Sequence, residues 1–447
     1  MSLGGAMNSG ISGLKSFSNA MGVIGNNLAN TNTIGFKAGR TLFSDLIPTN
    51  VSGTGGTSQI GRGVSLSVVD NIFSQGSLES SSSNLDLAIE GSGFFIVRNP
   101  DSLANNYSRA GAFRLNEAGY LVNPEGHIVQ GYPRSTTGGF ADLTSDIQIN
   151  TRSFVSGEAS SMVDLTTNLN ANDEINIGGW NINDPIVSSN FATTSQVFDS
   201  LGNTHLITTY FTKTGVNTWE YNQTVPAADI ATTDPPHAPE DICNGENAIV
   251  RVATGSFEFD SSGLLNRIVD EAGNEFDSNS PNWPNVKINE GKLNWINGAT
   301  NNLPLDYKMN VTQFATDSKV VTQQADGYSS GYLSDVSDDD EGTIIGTYSN
   351  GESRQLAKLA LAKFSNTNGL EKLGKNLYAA TSTSGPADIG TPGSGVGKIF
   401  SNALEQSTVD IAEEFTKMII TQRSFQANSK TITTTDEMLN EVINLKR

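Results

Sequence analysis

The chain has 447 residues, room for roughly two to four domains with cores of their own, and carries 47 acidic against 27 basic residues, a formal net charge of −20. That balance weighs against nucleic acid or an anionic membrane surface as a partner, since both need a basic face. One cysteine, Cys243, excludes an intrachain disulfide and a four-thiolate zinc site, and no run reaches the ~18 apolar residues of a membrane span.

The first predicted element is a helix. Met7, Leu14, Met21 and Leu28 recur every seven residues, with Leu3, Ile11, Phe17 and Ile24 at the flanking offsets. This is the spacing of a helix that lies along another helix. Gly10, Gly13, Gly22 and Gly25 weaken it, by up to ~1 kcal/mol each relative to Ala. The N-terminus shows no basic start, apolar core or small-residue cleavage site, so a cleaved signal peptide is not expected. NNLANTNTIGFK at 26–37 reads as a helix terminator and tight turn, because Asn tolerates left-handed backbone and Gly35 supplies it. Residues 48–63 are rich in Gly, Ser and Thr, and 382–398 have the same character with Pro386 and Pro392. Both read as irregular connectors at matching depth from the two ends, which outlines a hinge.

From about Asn71 the period changes to two. GSGFFIV at 91–97 reads as a buried strand, and 112–132 as a meander of short strands between Gly turns. FDSLGN (198–203), FDSSGLL (259–265) and DEAGNEF (270–276) each read as a turn between strands. The region 156–324 is polar, carries Trp180, Trp219, Trp283 and Trp295, and reads as a separate all-β unit. Strand-like runs return over 323–381.

The last stretch, 401–447, contains no Gly and no Pro. Leu404, Ile411, Met418, Phe425, Ile432 and Leu439 recur every seven residues, with Phe415 and Val442 on the same face. As one helix it would run roughly 65 Å. Its second row turns polar at Gln422, Ser429 and Asp436, so it should be marginal alone. Two weak helices at opposite ends of the chain are expected to order by packing on each other and on other copies. The expected fold is therefore multidomain and mostly β, with long α-helical N- and C-termini forming a coiled-coil-like end domain and with discontinuous, nested inner domains. The expected divisions are 1–32 with 402–447 for the helical end, 33–75 with 382–401 for the connector, 76–155 with 325–381 for a β domain, and 156–324 for an inserted outer β domain.

Catalytic and ligand-binding signals are missing from the sequence. His127, His205 and His237 have no metal-ligand spacing with each other or with Cys243, and no nucleophile elbow, P-loop or dinucleotide fingerprint occurs. The acidic run 338–342 lacks the Glu that an EF-hand loop needs after its Gly and reads as a solvated hairpin turn. No enzyme activity, cofactor or metal is expected.

The same stretches carry a family resemblance. NNLANTNTIGFK resembles the N-terminal signature of bacterial flagellar rod and hook proteins. GSGFFIV and YSRAGAFRLNEAGYLVNPEGHIVQGY (107–132) resemble their shared β domain, and VDIAEEFTKMIITQRSFQANSKTITTTDEMLNEVINLK (409–446) is similar to their C-terminal helix. In the middle, SQVFDSLGNTHLITTYF (195–211), DGYSSGYL (326–333) and 348–378 resemble the hook-forming members rather than the shorter rod proteins. The resemblance implies an extracellular subunit, exported uncleaved by the flagellar export apparatus, that self-assembles into a hollow curved tube acting as a universal joint. It implies as partners the chain itself, a distal rod protein, a hook-cap scaffold and hook–filament junction proteins.

On this reading the subunit interface is carried by Leu3, Met7, Ile11, Leu14, Met21 and Leu28 at one end. At the other it is carried by Leu404, Ile411, Phe415, Met418, Phe425, Ile432 and Leu439. The family motif falls on Asn26, Asn27, Leu28, Asn30, Thr31, Gly35, Phe36, Lys37, Gln422 and Arg423. In some members a Cys is cross-linked to a neighbour's Lys, which would make Cys243 a candidate. The alternatives are a distal rod or hook-associated member, or a secreted β protein that binds carbohydrate or a surface through its Trp-containing middle.

Overall fold

The computed structural model describes residues 3–444 except 54–55, 136–137, 153, 232–237, 239–240, 244–247, 278–279, 281–282, 289–291 and 301–303, and omits the side chains of 3, 51–53 and 56–58. His237 and the side chain of Leu3 therefore lie outside the described residues. The protein is mostly β, with α1 at Leu3–Ala29 and α2 at Ile411–Asn444 as its long helices. Among the described residues, no helix is long and apolar enough to cross a membrane. The chain divides into two compact units, one of Met1–Thr151, Asp335–Thr347 and Ser353–Arg447, the other of Arg152–Ser334 and Tyr348–Glu352.

In the first unit, α1 and α2 lie side by side. The start of α2 is fixed by Asp410, whose Oδ1 accepts from the backbone N–H groups of Ala412 (2.8 Å) and Glu413 (3.0 Å), with Glu413 and Glu414 in the first turn. A carboxylate cap plus two acids satisfies the free donors and the positive end of the helix dipole. The helix is therefore 34 residues, roughly 50 Å, and not the ~65 Å expected from 401 onward. Ala403–Glu405 instead forms a strand against Leu78–Ser80, placing Leu404 opposite Glu79. Leu404 thus falls outside the helical stripe. Its backbone is held extended because Glu405 is anchored on both its carbonyl and its carboxylate, as described below.

The stretch 48–63 is not irregular. Strands Gly39–Asp45 and Val64–Asn71 pair antiparallel in register from Gly39↔Asn71 to Asp45↔Val64, with one irregularity at Leu42/Phe43. Thr49–Gly53 and Gly56–Ile60 close a hairpin beyond them. The composition alone hides this pairing, because Gly and Ser are also what a coil connector would carry. Within 382–398, Asp388–Gly390 pairs with Leu361–Lys363 and Lys398 begins a strand paired with Leu87–Glu90, while the rest is turn and coil with Gly385, Gly393 and Gly395 at positive φ.

The β body of this unit is built on Phe94–Arg98, hydrogen-bonded to Asn105–Ser108, Ile128–Pro133 and Leu361–Lys363. One face packs Phe94, Ile96, Tyr107, Phe364 and Tyr378, with the Tyr107 and Phe364 rings edge-on at 4.7 Å. Asp339 Oδ1 accepts from Glu341 and Thr343 N–H, so the acidic run 338–342 is a hairpin turn.

The second unit places two sheets over one core. The first runs Asn285–Ile288, Leu305–Phe314, Met162–Asn170, Lys319–Ala325, its central pair parallel. The second runs from Phe191–Phe198 through Thr204–Gly215, Thr218–Pro226 and Ile249–Phe259 to Leu265–Asp270 and Glu275–Asp277. Trp219, fully buried, crosses between them and donates its indole N–H to Gln313 Oε1 at 3.0 Å. Trp295 is also buried in this core, and Trp180 packs on Tyr210. Trp219 and Trp295, half of the tryptophans in this region, are therefore core residues, which removes much of the motive for a Trp-lined binding face. The three Asp-x-x-Gly segments are turns of one kind. Asp199, Asp260 and Asp270 each cap the backbone of the loop, and Gly202, Gly263 and Gly273 sit at positive φ.

Candidate assembly surface

The seam between the helices is made of small residues. The most buried positions of α1 are Gly10, Gly13, Ser16, Ala20, Ile24 and Asn27. A Cβ on Gly10 would lie 2.9 Å from Ile432 Cγ1, and one on Gly13 2.7 Å from Asn428 Oδ1, so these two glycines are what lets α2 approach. Gly22 and Gly25 have open space where a Cβ would sit. On α2 the row turned to this seam is Glu414, Thr421, Asn428 and Thr435, a seven-residue series of its own with Asn428 and the three others buried or half-buried.

That row lies three positions on from the expected apolar series. Met418, Ile432 and Leu439 are half-buried on the flank of the seam, as are Met7, Leu14, Met21 and Leu28 on α1. Others of the predicted set face outward: Ile11, Ile411, Phe415 and Phe425 are exposed, Phe415 by 48%. They join Ile419 and Ile420 at one end of α2, and Met438, Val442 and Ile443 at the other. The antiparallel ribbon adds Phe43, Ile47 and Val68, with Ile47 85% exposed. Large apolar side chains are thus left exposed in groups on α2 and the ribbon.

The motif at 26–37 does different work. Asn27, almost fully buried, donates to Gly39 O (2.8 Å) and to Glu414 Oε2 (3.1 Å) and accepts from Gly39 N–H (2.9 Å). One side chain thereby ties the end of α1 to the ribbon and to the first turn of α2. Lys417 then pairs with Glu414 and Glu413, each at 2.9 Å. Asn30 caps locally by donating to Asn26 O, and Thr31 donates to Leu28 O. Gly35 has φ +68, and a Cβ there would meet the Arg109–Ala110 backbone at 2.7 Å, so the close approach requires glycine. Phe36 is buried, with Lys372 Nζ 5.5 Å above its ring.

Lys37 is fully buried and donates to Glu405 Oε1 (2.7 Å) and to Ser74 O (2.6 Å). Glu405 Oε1 also accepts from Gly76 N–H (2.8 Å), its Oε2 faces Arg109 Nη1 at 3.4 Å, and its carbonyl accepts from Gly35 N–H. Burial pushes the Lys37 ammonium and the Arg109 guanidinium below their usual ranges, while Glu405 pulls both back up. Asn26, Gln422 and Arg423 of the motif are exposed. Sequence reasoning found Lys37 and Asn27 but missed Glu405, Arg109, Glu414 and Asn428. Their one sequence signal was a Gly-free stretch read as helix throughout, and a lone Arg in a strand-rich tract gives none.

The helical ends, the β body and the β insert each match a known family model. Residues 7–37 match "Flagella basal body rod protein" and 88–172 match "Flagellar hook protein FlgE/F/G D1 domain". Residues 168–328 match "Flagellar basal body protein FlaE D2 domain" and 401–445 match "Flagellar basal body rod FlgEFG protein C-terminal". The class so defined is the rod and hook proteins of the bacterial flagellum, structural components of that organelle. Among full-length relatives, the chain is 35% identical to the flagellar hook protein of Treponema pallidum, covering 98% of this chain and 99% of that one. It is 36% identical to that of Borreliella burgdorferi, covering 98% of each, and 32% identical to that of Salmonella typhimurium, covering 98% of each. The chain belongs to the flagellar hook protein family.

Proposed function

We propose that copies of this chain polymerise through α1, α2 and the ribbon into the hollow, curved hook of a flagellum, which acts as a universal joint between rod and filament. The observation that carries this reading is the outward row Ile411, Phe415, Ile419 on α2, which leaves large apolar side chains in water while smaller and polar residues fill the intrachain seam. Phe415 and Ile419 are each about half exposed, so burying the remainder against a neighbour supplies roughly 1.5–3 kcal/mol before the cost of association. In the assembled tube the two helices form the inner, coiled-coil-like layer, and Gln422, Ser429 and Asp436 meet water or neighbouring copies. The domains are nested along the chain, the second unit being inserted between segments of the first.

The ribbon and the stretch 382–401 then act as the strap along which subunits shift as the hook turns. The distal rod protein, the hook cap and the hook–filament junction proteins are its neighbours, and the flagellar export apparatus delivers it outside the cell. The test is electron microscopy of the purified chain after salt-induced polymerisation, beside Phe415→Asp and Ile419→Asp. Tubes are expected from the parent chain alone, with all three showing the same monomer melting curve. Tubes of normal length from both variants would refute the role given to α2.

A further inference from the structure

The buried ion cluster is short of negative charge. Lys37 and Arg109 share one carboxylate, Glu405, and their other hydrogen bonds go to backbone carbonyls: Ser74 O for Lys37, Ile89 O and Gly91 O for Arg109. Arg109 is only 4% exposed, and its Nε–H has no acceptor. Both cations are pushed down by burial, the direction of a positive site that lacks counter-charge. Arg109 also lines a cavity of about 340 Å³. The rings of Phe73, Phe94 and Phe364 are among its walls, and Gly91 and Gly93 keep it clear of side chains. Gln75, Ser92 and Lys363 are exposed polar members, the Gln75 amide being engaged by Ile89 O and Gly91 N–H, and Lys363 adds a second cation.

Aromatic walls with a guanidinium inside and an ammonium at the rim suit a carboxylate on a short aliphatic stem. The stem packs on the rings, and the charge completes the cluster. We propose that this cavity receives an Asp or Glu side chain from a second copy of the chain during assembly. The second copy is the favoured source because each copy carries 47 acidic residues against 27 basic ones, so the unpaired charge on a neighbour is overwhelmingly negative. The inference rests on the polymerisation reading above.

The experiment measures the lowest concentration at which the full chain sediments as polymer, for the parent, Ser92→Trp (which fills the cavity mouth) and Lys363→Glu (which reverses the rim charge). Circular dichroism and melting curves of the monomers establish that each variant folds. Sodium propionate is compared with sodium chloride at equal ionic strength. Both variants are expected to raise the threshold by about three-fold or more. Propionate is expected to raise it further for the parent but not for Ser92→Trp. Unchanged thresholds in both folded variants, or propionate acting no differently from chloride on the parent, would overturn the proposal while leaving polymerisation itself intact. A parent monomer that propionate stabilises but that never polymerises would instead sink the assembly reading, and the second-copy occupant with it.

Discussion

At the scale of single residues, Glu405 holds more of the first unit together than any position in the apolar stripes. Its carboxylate neutralises part of two buried cations and caps the Gly76 amide, and the three charged side chains are out of water. Removing the charge in Glu405→Gln strands Lys37 and Arg109, and should cost roughly 3 kcal/mol or more of unfolding free energy in urea melts. Glu413→Gln, by contrast, removes one partner of an exposed pair with Lys417, and should change stability by less than ~1 kcal/mol. A second carboxyl sets a pH dependence. Burial, then repulsion from Asp339, pushes Asp338 up to about 8, and its Oδ1 has no hydrogen-bond partner. The folded state therefore holds a proton that the unfolded carboxyl releases near ~4. The contribution from this group is fully present below ~4 and is lost as pH rises toward about 8. Asp338→Asn should flatten the fall in stability between those limits and leave the variant more stable than the parent at pH 8 in matched urea melts. An identical pH profile for both proteins would dissociate Asp338 from it.

At the scale of elements, the glycines of α1 divide into two kinds. Gly10 and Gly13 are contact points with Ile432 and Asn428, whereas Gly22 faces open space. Gly10→Val should push the helices apart and speed amide exchange along α2 in the monomer. Gly22→Ala should slow exchange in α1, by up to ~1 kcal/mol of added helix stability. If both substitutions shift exchange the same way, the seam is not where these glycines place it. The helical period was legible in the sequence because large apolar residues repeat every seven positions on both ends. Which face meets which was not, because the buried series Glu414, Thr421, Asn428, Thr435 is polar and the apolar one flanks it. The start of α2 was misread for a related reason: Ser401 and Leu404 fit a helix locally, but strand pairing of Lys398–Ser401 and Ala403–Glu405, the turn at Asn402 (φ +54) between them and the anchors on Glu405 keep the stretch out of the helix. The hairpin within 48–63 was hidden by its Gly and Ser content, since TNVSG and GTSQI carry too few apolar residues to show an alternating signature. The turns around Asp199, Asp260 and Asp270 were legible because their Asp and Gly act through local backbone chemistry alone.

At the scale of the whole molecule, two opposing forces decide whether copies associate. The apolar side chains on α2 and the ribbon favour contact and depend little on moderate salt. The net charge of −20 opposes contact, because bringing copies together crowds like charges within a distance where they still interact. That repulsion is screened over ~10 Å at 0.1 M salt and over ~3 Å at 1 M. The polymerisation threshold should therefore fall as sodium chloride rises toward ~1 M and then level off, once repulsion is screened and the apolar term alone remains. One carboxylate per copy entering the Arg109 cavity adds a salt-sensitive attraction, but its slope is small against twenty unbalanced charges and does not reverse the trend. Phe415→Asp acts on both forces at once, since it removes apolar area and adds a negative charge. Its threshold should stay above the parent's even at the highest salt, where charge no longer matters. A parent chain whose polymers dissolve as salt is raised would mean that ion pairs between copies, rather than the exposed faces of α2, hold the assembly together.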